Sequence, residues 1–312
     1  MLKDCDDGIF LLQGNKSCNI YFIQRKVGVI IDTGHPNQAV SNLTALKDFG
    51  IKSNDVHYII NTHSHPDHVG GNVEFLKYFK EAKIINSTKT KFYQERKKQY
   101  ALYQDIEDTF EDYPISFTVN DADVLDLSDA NIRFVETPGH TADSISLELD
   151  NKFLFSGDTL YQKIIPQVDY YQDLTVSLSE LKKSYDKLQA SSCKKIFPGH
   201  GTPFEKTDKI FNMLNRKLSK FMDNPLLLLI NTICPLLELF FKKNPGKTME
   251  EIIPIFEEYL QRPVCAKLWP TFENIDFYES IEKALFLMKT MNMITIDENG
   301  GFFLNGELNS HL

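Results

Sequence analysis

Read for the spacing of its apolar residues, the chain has two textures. Up to about position 204, short runs of β-branched and aromatic residues recur between turn signals. They are IYFIQ (20–24), VGVIID (27–32), VHYII (56–60), AKIIN (82–86), VLDL (124–127), IRFVET (132–137), SISLEL (144–149), KFLFSG (152–157) and KKIF (194–197), and each reads as a strand. Positions 36–49, closed by Gly50, read as a helix, as do the stretch opened by VEFLKYF, residues 88–110 and about 175–190. The Asp-Asn-Lys stretch at 150–152 marks a hairpin turn. Two runs of strands, each followed by helices, predict two packed sheets with helices outside, a layered α/β sandwich. After Phe204 the strand signals fade. Residues 206–222, 225–242, 248–260 and 277–291 read as helices, and 294–305 as a closing hairpin around Asn299–Gly300. The expected organisation is a domain over 1–204 and a helical, winged-helix-like domain over 205–312.

Composition narrows the function classes. The 312 residues are 42% hydrophobic and 25% charged, an ordinary balance for a globular protein. The net charge of −9 argues against a nucleic-acid surface. The C-terminal 108 positions agree, with 12 Lys+Arg against 15 Asp+Glu, a net of −3. The five cysteines (Cys5, Cys18, Cys193, Cys234 and Cys265) are odd in number and never at C-x-x-C spacing, which excludes a disulfide framework and a cysteine zinc site. With no signal-peptide pattern at the start, reduced thiols in a cytoplasmic protein are expected. The apolar run Pro225–Phe241 falls short of the about 20 residues a membrane span needs. It is broken by Asn231, Pro235 and Glu238, and reads as a buried helix or a subunit interface.

The chemistry concentrates in NTHSHPDHVGG, residues 61–71. Imidazole and carboxylate suit borderline divalent metals. His63 and His65, two apart on an extended segment, point the same way and can grip one ion. Asp67 and His68, past the stiffening Pro66, can face a second. Four groups do not fill two sites, and three more candidates follow strands beside glycines: His140 in TPGHT, Asp158 in SGDT and His200 in FPGHG. A binuclear centre is expected, with His63, His65 and His140 on one ion, Asp67, His68 and His200 on the other, and Asp158 bridging. His35 and His57 fit neither set.

In that order, HxHxDH, PGHT, GDT and PGHG resemble the signature of the metallo-β-lactamase superfamily over about residues 8–204. Asp67 together with Asp158 is similar to the hydroxyacylglutathione hydrolase (glyoxalase II) branch. The C-terminal region more weakly resembles the appendage of the β-lactamase-like protein 2 group. The resemblance implies a four-layer αββα sandwich and two divalent ions, zinc first, with iron or manganese also suited. It further implies a metal-bridged hydroxide attacking a carbonyl or phosphorus, with Asp67 orienting it. Asp32 resembles a supporting aspartate of the family, and Thr62 a second support. Tyr161, Tyr170 and Tyr171 follow Asp158 and are candidates to meet a substrate oxygen. The basic stretches 89–98 and 215–220 are candidates to meet an anionic group, set against solvated helix faces.

Three functions follow from the resemblance: hydrolysis of a small thioester, ester or lactone; a metal-dependent nuclease acting on phosphodiesters; and a ligand-binding regulator on the same scaffold. Acidic charge counts against the second, and a full ligand set against the third. The expected function is therefore acyl hydrolysis of a small molecule, with the C-terminal helices as a lid or homodimer element.

Overall fold

The computed structural model describes residues 2–12, 17–91, 112–168, 174–224, 244–261 and 276–305, with single positions between 227 and 242. Most of the helix expected over 88–110, with Tyr93, and the tyrosines Tyr170 and Tyr171 lie outside the described residues.

Two sheets form the centre. The first has seven strands in chain order: β1 (Leu2–Asp6), β2 (Ile9–Leu12), β3 (Ile20–Ile23), β4 (Val29–Ile31), β5 (Tyr58–Ile60), β6 (Lys83–Ser87) and β7 (Phe117–Val119). Strands β1 to β4 meander antiparallel, and β4 to β7 run parallel. The second sheet runs β13 (Phe204–Glu205), β12 (Lys195–Pro198), β11 (Phe153–Gly157), β10 (Ile145–Leu149), β9 (Asn131–Glu136), β8 (Val124–Asp126). Here β11 and β12 are parallel, and β9 points the same way because it is antiparallel to β10, which is antiparallel to β11.

The apolar pattern explains the layers. Parallel strands covered on both faces need continuous apolar runs rather than alternation. The period of two then divides each run between faces. Ile31, Ile60 and Ile85 point inward, against Phe134, Leu147, Phe155 and Phe197 of the second sheet. Their neighbours Ile30, Ile59 and Ile84 point outward, against α1 (Ala39–Asp48) through Leu43 and Leu46, and against Phe75 of α3 (Asn72–Tyr78). Tyr21 meets the rings of Phe155 and Phe197 edge-on, with centroids 5.2 and 5.5 Å apart, and joins the two sheets.

On the far face of the second sheet, Leu154 and Ile196 pack under α4 (Leu174–Ala190) and α5 (Asp208–Asp223). The same apolar cluster continues without a break through Ile233, Leu237 and Phe241, Ile252 of α6 (Met249–Gln261), and Ile281 and Leu285 of α7 (Phe277–Thr290). It ends on Phe302 in the hairpin β14 (Ile294–Ile296) and β15 (Phe302–Leu304). The result is the expected order of helix, sheet, sheet and helix, with a helical C-terminal region closed by a hairpin. The described positions of the run 225–241 are helical and mostly buried. Among the described residues, no helix is long and apolar enough to cross a membrane.

Four strands, β1, β2, β7 and β13, escaped the sequence reading. The hairpin of β1 and β2 turns at Asp7–Gly8, with φ +43° and +71°. Its first strand is mostly polar, because one face of this edge strand meets solvent. β7 is exposed at two of its three residues, and β13 has only two residues, too few to show a period. The loop at 61–71 also contains one helical turn, α2 (Pro66–Val69), with Pro66 at its first position, where a missing N–H costs nothing.

Tyr185 of α4 is fully buried, and its hydroxyl has no hydrogen-bond partner among the described residues. A buried unsatisfied hydroxyl costs about 1–3 kcal/mol. Tyr185→Phe is therefore expected to leave stability unchanged or raise it by about 1 kcal/mol. Chemical denaturation checks this; a loss above about 1 kcal/mol would show that the hydroxyl has a partner after all.

Candidate metal centre

All seven candidate side chains sit at the C-terminal ends of strands. His63, His65, Asp67 and His68 follow β5, His140 follows β9, Asp158 follows β11 and His200 follows β12. Because β9, β11 and β12 point the same way, their ends share one rim of the second sheet. Backbone bonds join that rim to the first sheet. Ile145 N–H donates to Thr62 O at 2.8 Å, and Asn19 N–H donates to Gly199 O at 2.6 Å.

The side chains form two clusters. In the first, His63 Nε2 lies 3.0 Å from His65 Nδ1, and His140 Nε2 lies 3.0 Å from His65 Nδ1 and 3.3 Å from His63 Nε2. In the second, His200 Nε2 lies 3.2 Å and His68 Nε2 3.7 Å from Asp67 Oδ2. Asp158 touches both clusters. Its Oδ2 is 3.4 Å from His200 Nε2 and 3.6 Å from His140 Nε2, and its Oδ1 is 3.3 Å from His68 Nε2. His35 and His57 stand apart: His35 Nδ1 accepts from Asn37 N–H, and His57 Nδ1 from Gly28 N–H.

Two observations test whether these residues suit metal ions. Each ring nitrogen of the first cluster faces two others and carries at most one proton, so the three cannot satisfy one another by hydrogen bonds alone. Ligands of one tetrahedral ion at about 2.0–2.1 Å would stand about 3.3 Å apart, close to the separations found. In the second cluster, His68 Nε2 and Asp158 Oδ1 are buried with no hydrogen-bond partner among the described residues. The two atoms face each other at 3.3 Å across a shared space, and the donor set fits divalent cations.

Electrostatics divides the clusters in the same way. Burial, reinforced by His68, His65 and His140, holds His63 well below its usual pKa, and burial lowers His140 too, so both favour the neutral, ligating form. Burial also opposes charge on His68. Cys18 and the carboxylates of Asp158, Asp32 and Asp67 outweigh it and hold His68 well above its usual value. Burial is likewise outweighed at His200, which Asp158 and Asp67 push up to about 10. Against their own burial, Asp67 and Asp158 are held below the usual carboxylate range by His68 and His200. Two imidazolium protons thus balance two carboxylates, and a cation entering this cluster would displace those protons.

The supports are buried. Asp32, at φ +57° past β4, accepts from Thr62 N–H and Oγ1–H at 2.8 Å each and faces His68 Nδ1 at 2.8 Å. It fixes the ring whose Nε2 faces Asp67 and Asp158. Gly199 leaves no room for a side chain: a Cβ there would lie 2.0 Å from Asp158 Oδ1 and 2.9 Å from His68 Cε1. Three supports had gone unnoticed in the sequence. Asn19 Nδ2 donates to the carbonyls of Pro198 and Gly201, holding the loop that carries His200. Ser17 Oγ–H donates to Asp67 O. Cys18 Sγ lies within 4.8 Å of Asp32 and His68 ligand atoms, fully buried, and burial pushes its thiol up to about 12. Of the three tyrosine candidates, Tyr161 is described. Its ring centroid is 6.5 Å from that of His200, and burial and the neighbouring Asp158 hold its phenol well above the usual value.

Comparison with known proteins agrees with this geometry. The family model described as the metallo-beta-lactamase superfamily matches residues 14–200. The beta-lactamase-like protein 2 homolog of Caenorhabditis elegans is 30% identical over 216 residues, covering 68% of this chain and 65% of that protein. The acyl-coenzyme A thioesterase MBLAC2 of Bos taurus is 23% identical over 254 residues, covering 70% and 86%. The crystal structure of BJP-1, a subclass B3 metallo-beta-lactamase of Bradyrhizobium japonicum, superposes with a TM-score of 0.57 at 22% identity. That superposition covers 72% of this chain and 93% of that chain and shows a shared fold. With the family match covering more than half of the chain, and the fold and the His/Asp cluster in agreement, the chain belongs to the metallo-beta-lactamase superfamily of hydrolases.

Proposed function

We propose that the protein is a binuclear metal-dependent hydrolase of a small thioester, ester or lactone. In this reading His63, His65 and His140 hold one ion, Asp67, His68 and His200 hold the other, and Asp158 is shared. The carrying observation is the position of Asp158 Oδ2, within 3.4 and 3.6 Å of a histidine nitrogen from each cluster. Zinc suits these donors best, with iron and manganese as alternatives. When bound, such a pair supplies Lewis acidity, acidifying water towards pKa about 7 and polarising a substrate carbonyl. Asp67, ionised and one-third exposed at its side chain, is placed to orient the attacking water. Tyr161, kept neutral beside Asp158, offers a hydroxyl donor to a substrate oxygen.

The acyl substrate is favoured over a nucleic acid on charge and on similarity. A phosphate-tracking groove needs unpaired cations. Lys283 of α7 is already 2.7 Å from Glu279 on its own helix, and the C-terminal region is net acidic. The similarity to an acyl-coenzyme A thioesterase supports a thioester. On this reading the protein acts in the cytoplasm on a small molecule, with the C-terminal helices shaping the pocket as a lid or a homodimer contact.

The test is a panel of thioesters, lactones, phosphodiesters and single-stranded RNA, run on metal-replete protein at several salt concentrations. Turnover of an acyl substrate with little salt dependence is expected, and Lys283→Ala with Lys289→Ala should leave it unchanged. Metal-dependent RNA cleavage without any acyl turnover, and with RNA affinity falling steeply in salt, would overturn the reading.

A further inference from the structure

Asp143 lies three residues past His140 and is 1% exposed. Its Oδ2 accepts two hydroxyl hydrogen bonds, from Ser64 Oγ–H at 2.5 Å and from Thr90 Oγ1–H at 2.9 Å. Ser64 stands between His63 and His65 and is itself fully buried. Thr90 follows β6, in the turn where the chain leaves the first sheet. One carboxylate oxygen therefore ties three separate segments together: the loop after β5, the loop after β9 and the turn after β6. All three ligands of the first cluster lie on the first two of these.

The other oxygen, Oδ1, is buried and has no hydrogen-bond partner among the described residues. A buried carboxylate with an unpaired oxygen is costly, and the two hydroxyl bonds it accepts are what offsets that cost here. Asp32 makes the comparison direct. It too is a buried aspartate reached from the loop after β5, through Thr62; it faces His68 of the second cluster, and the same Thr62 hydroxyl lies 3.1 Å from His63 Nδ1. Thr62 and Ser64 flank His63, and their hydroxyls point to different aspartates.

We infer that Asp143 is a positioning residue of the first metal site. It acts through the Ser64 hydroxyl to hold His63 and His65 in convergence with His140, as Asp32 does for His68 of the second site. Side chains that orient ligands set metal affinity, and their loss typically costs 10–100-fold. The inference rests on the reading that the two clusters each hold an ion.

The experiment is cobalt(II) titration of the full chain, followed by visible absorption, with each site isolated in turn. His200→Ala leaves the His63/His65/His140 site intact, and His140→Ala leaves the Asp67/His68/His200 site. In the His200→Ala background, Asp143→Leu and, separately, Ser64→Ala are expected to weaken cobalt binding by about 10–100-fold. Asp143→Asn, which keeps an oxygen for both hydroxyls, should recover most of that loss. In the His140→Ala background the same changes should leave affinity within about twofold. Ser64→Ala removes a single oxygen, so it remains informative if Asp143→Leu does not fold. Equal losses in both backgrounds would mark Asp143 as a general structural residue and overturn the inference, as would unchanged affinity in the His200→Ala background. If the unmodified protein takes up no cobalt at all, the binuclear reading falls first, and this inference falls with it.

Discussion

Gly199→Ala is expected to abolish turnover and to weaken the second metal site at least as much as the loss of a ligand. The added Cβ would lie 2.0 Å from Asp158 Oδ1 and 2.9 Å from His68 Cε1, far inside contact distance for both. Neither neighbour can retreat. His68 is held by Asp32, and Asp158 ends a strand in the middle of its sheet. The loop carrying Gly199 is pinned from the other side by backbone bonds to Gly157 and Asn19. A displacement of about 1 Å is enough to cost about 100-fold in a positioned site. Gly201→Ala is the control: nothing lies within 4 Å of its would-be Cβ, but its φ of +82° makes alanine strained. It should cost about 1–2 kcal/mol of stability while leaving metal stoichiometry intact. Metal titration with circular dichroism on both variants checks the pair. Wild-type stoichiometry and turnover in Gly199→Ala protein would sink the close-contact argument.

Asp158→Ala should have a comparable effect for a different reason. Its carboxylate is the group within reach of both clusters, at 3.6 Å from His140 and 3.3–3.4 Å from His68 and His200. Removing it takes a donor from each cluster and leaves His68 and His200 without a counter-charge that both of them share. Affinity at both sites is expected to fall by at least about 10–100-fold, with activity below detection. The backbone ladder of β11 with β10 and β12 does not involve this side chain, so the fold should survive. Elemental analysis after dialysis, alongside thermal unfolding, separates the outcomes. Retention of two ions per chain and normal turnover would show that Asp158 is not the shared group.

The clustering of the seven His and Asp side chains was legible in the sequence because their chemistry is tied to atom type and their placement to strand ends. A histidine or aspartate following an apolar run beside glycine has little other reason to recur, and three such motifs, with His140, Asp158 and His200, joined the HxHxDH loop. The strands β3 to β6 were legible for a related reason: burial on both faces leaves unbroken apolar runs. What stayed hidden depends on partners remote in the chain. Asp143 meets Ser64 across 79 positions, and Asn19 meets Pro198 across 179. No local spacing encodes such pairs. Edge strands were missed because exposed positions break the apolar pattern, as in β1 and β7, or because the strand has only two residues, as in β13. The short helix α2 was hidden inside what read as a loop, since four residues are too few for a helical period.

The order of the ligands along the chain has a consequence for biosynthesis. Six of the seven are in place by Asp158, but the loop bearing His200 is made last and is then fastened to Asn19, among the earliest residues of the first sheet. At about 5–20 residues per second, His200 leaves the ribosome roughly 7–30 s after His63. Until then the histidine loop waits with its second cluster open, and the N-terminal strands wait for their last partner. The candidate centre and the Asn19–Gly199 link between the two sheets therefore wait on the same loop, and a chain stalled before it lacks both.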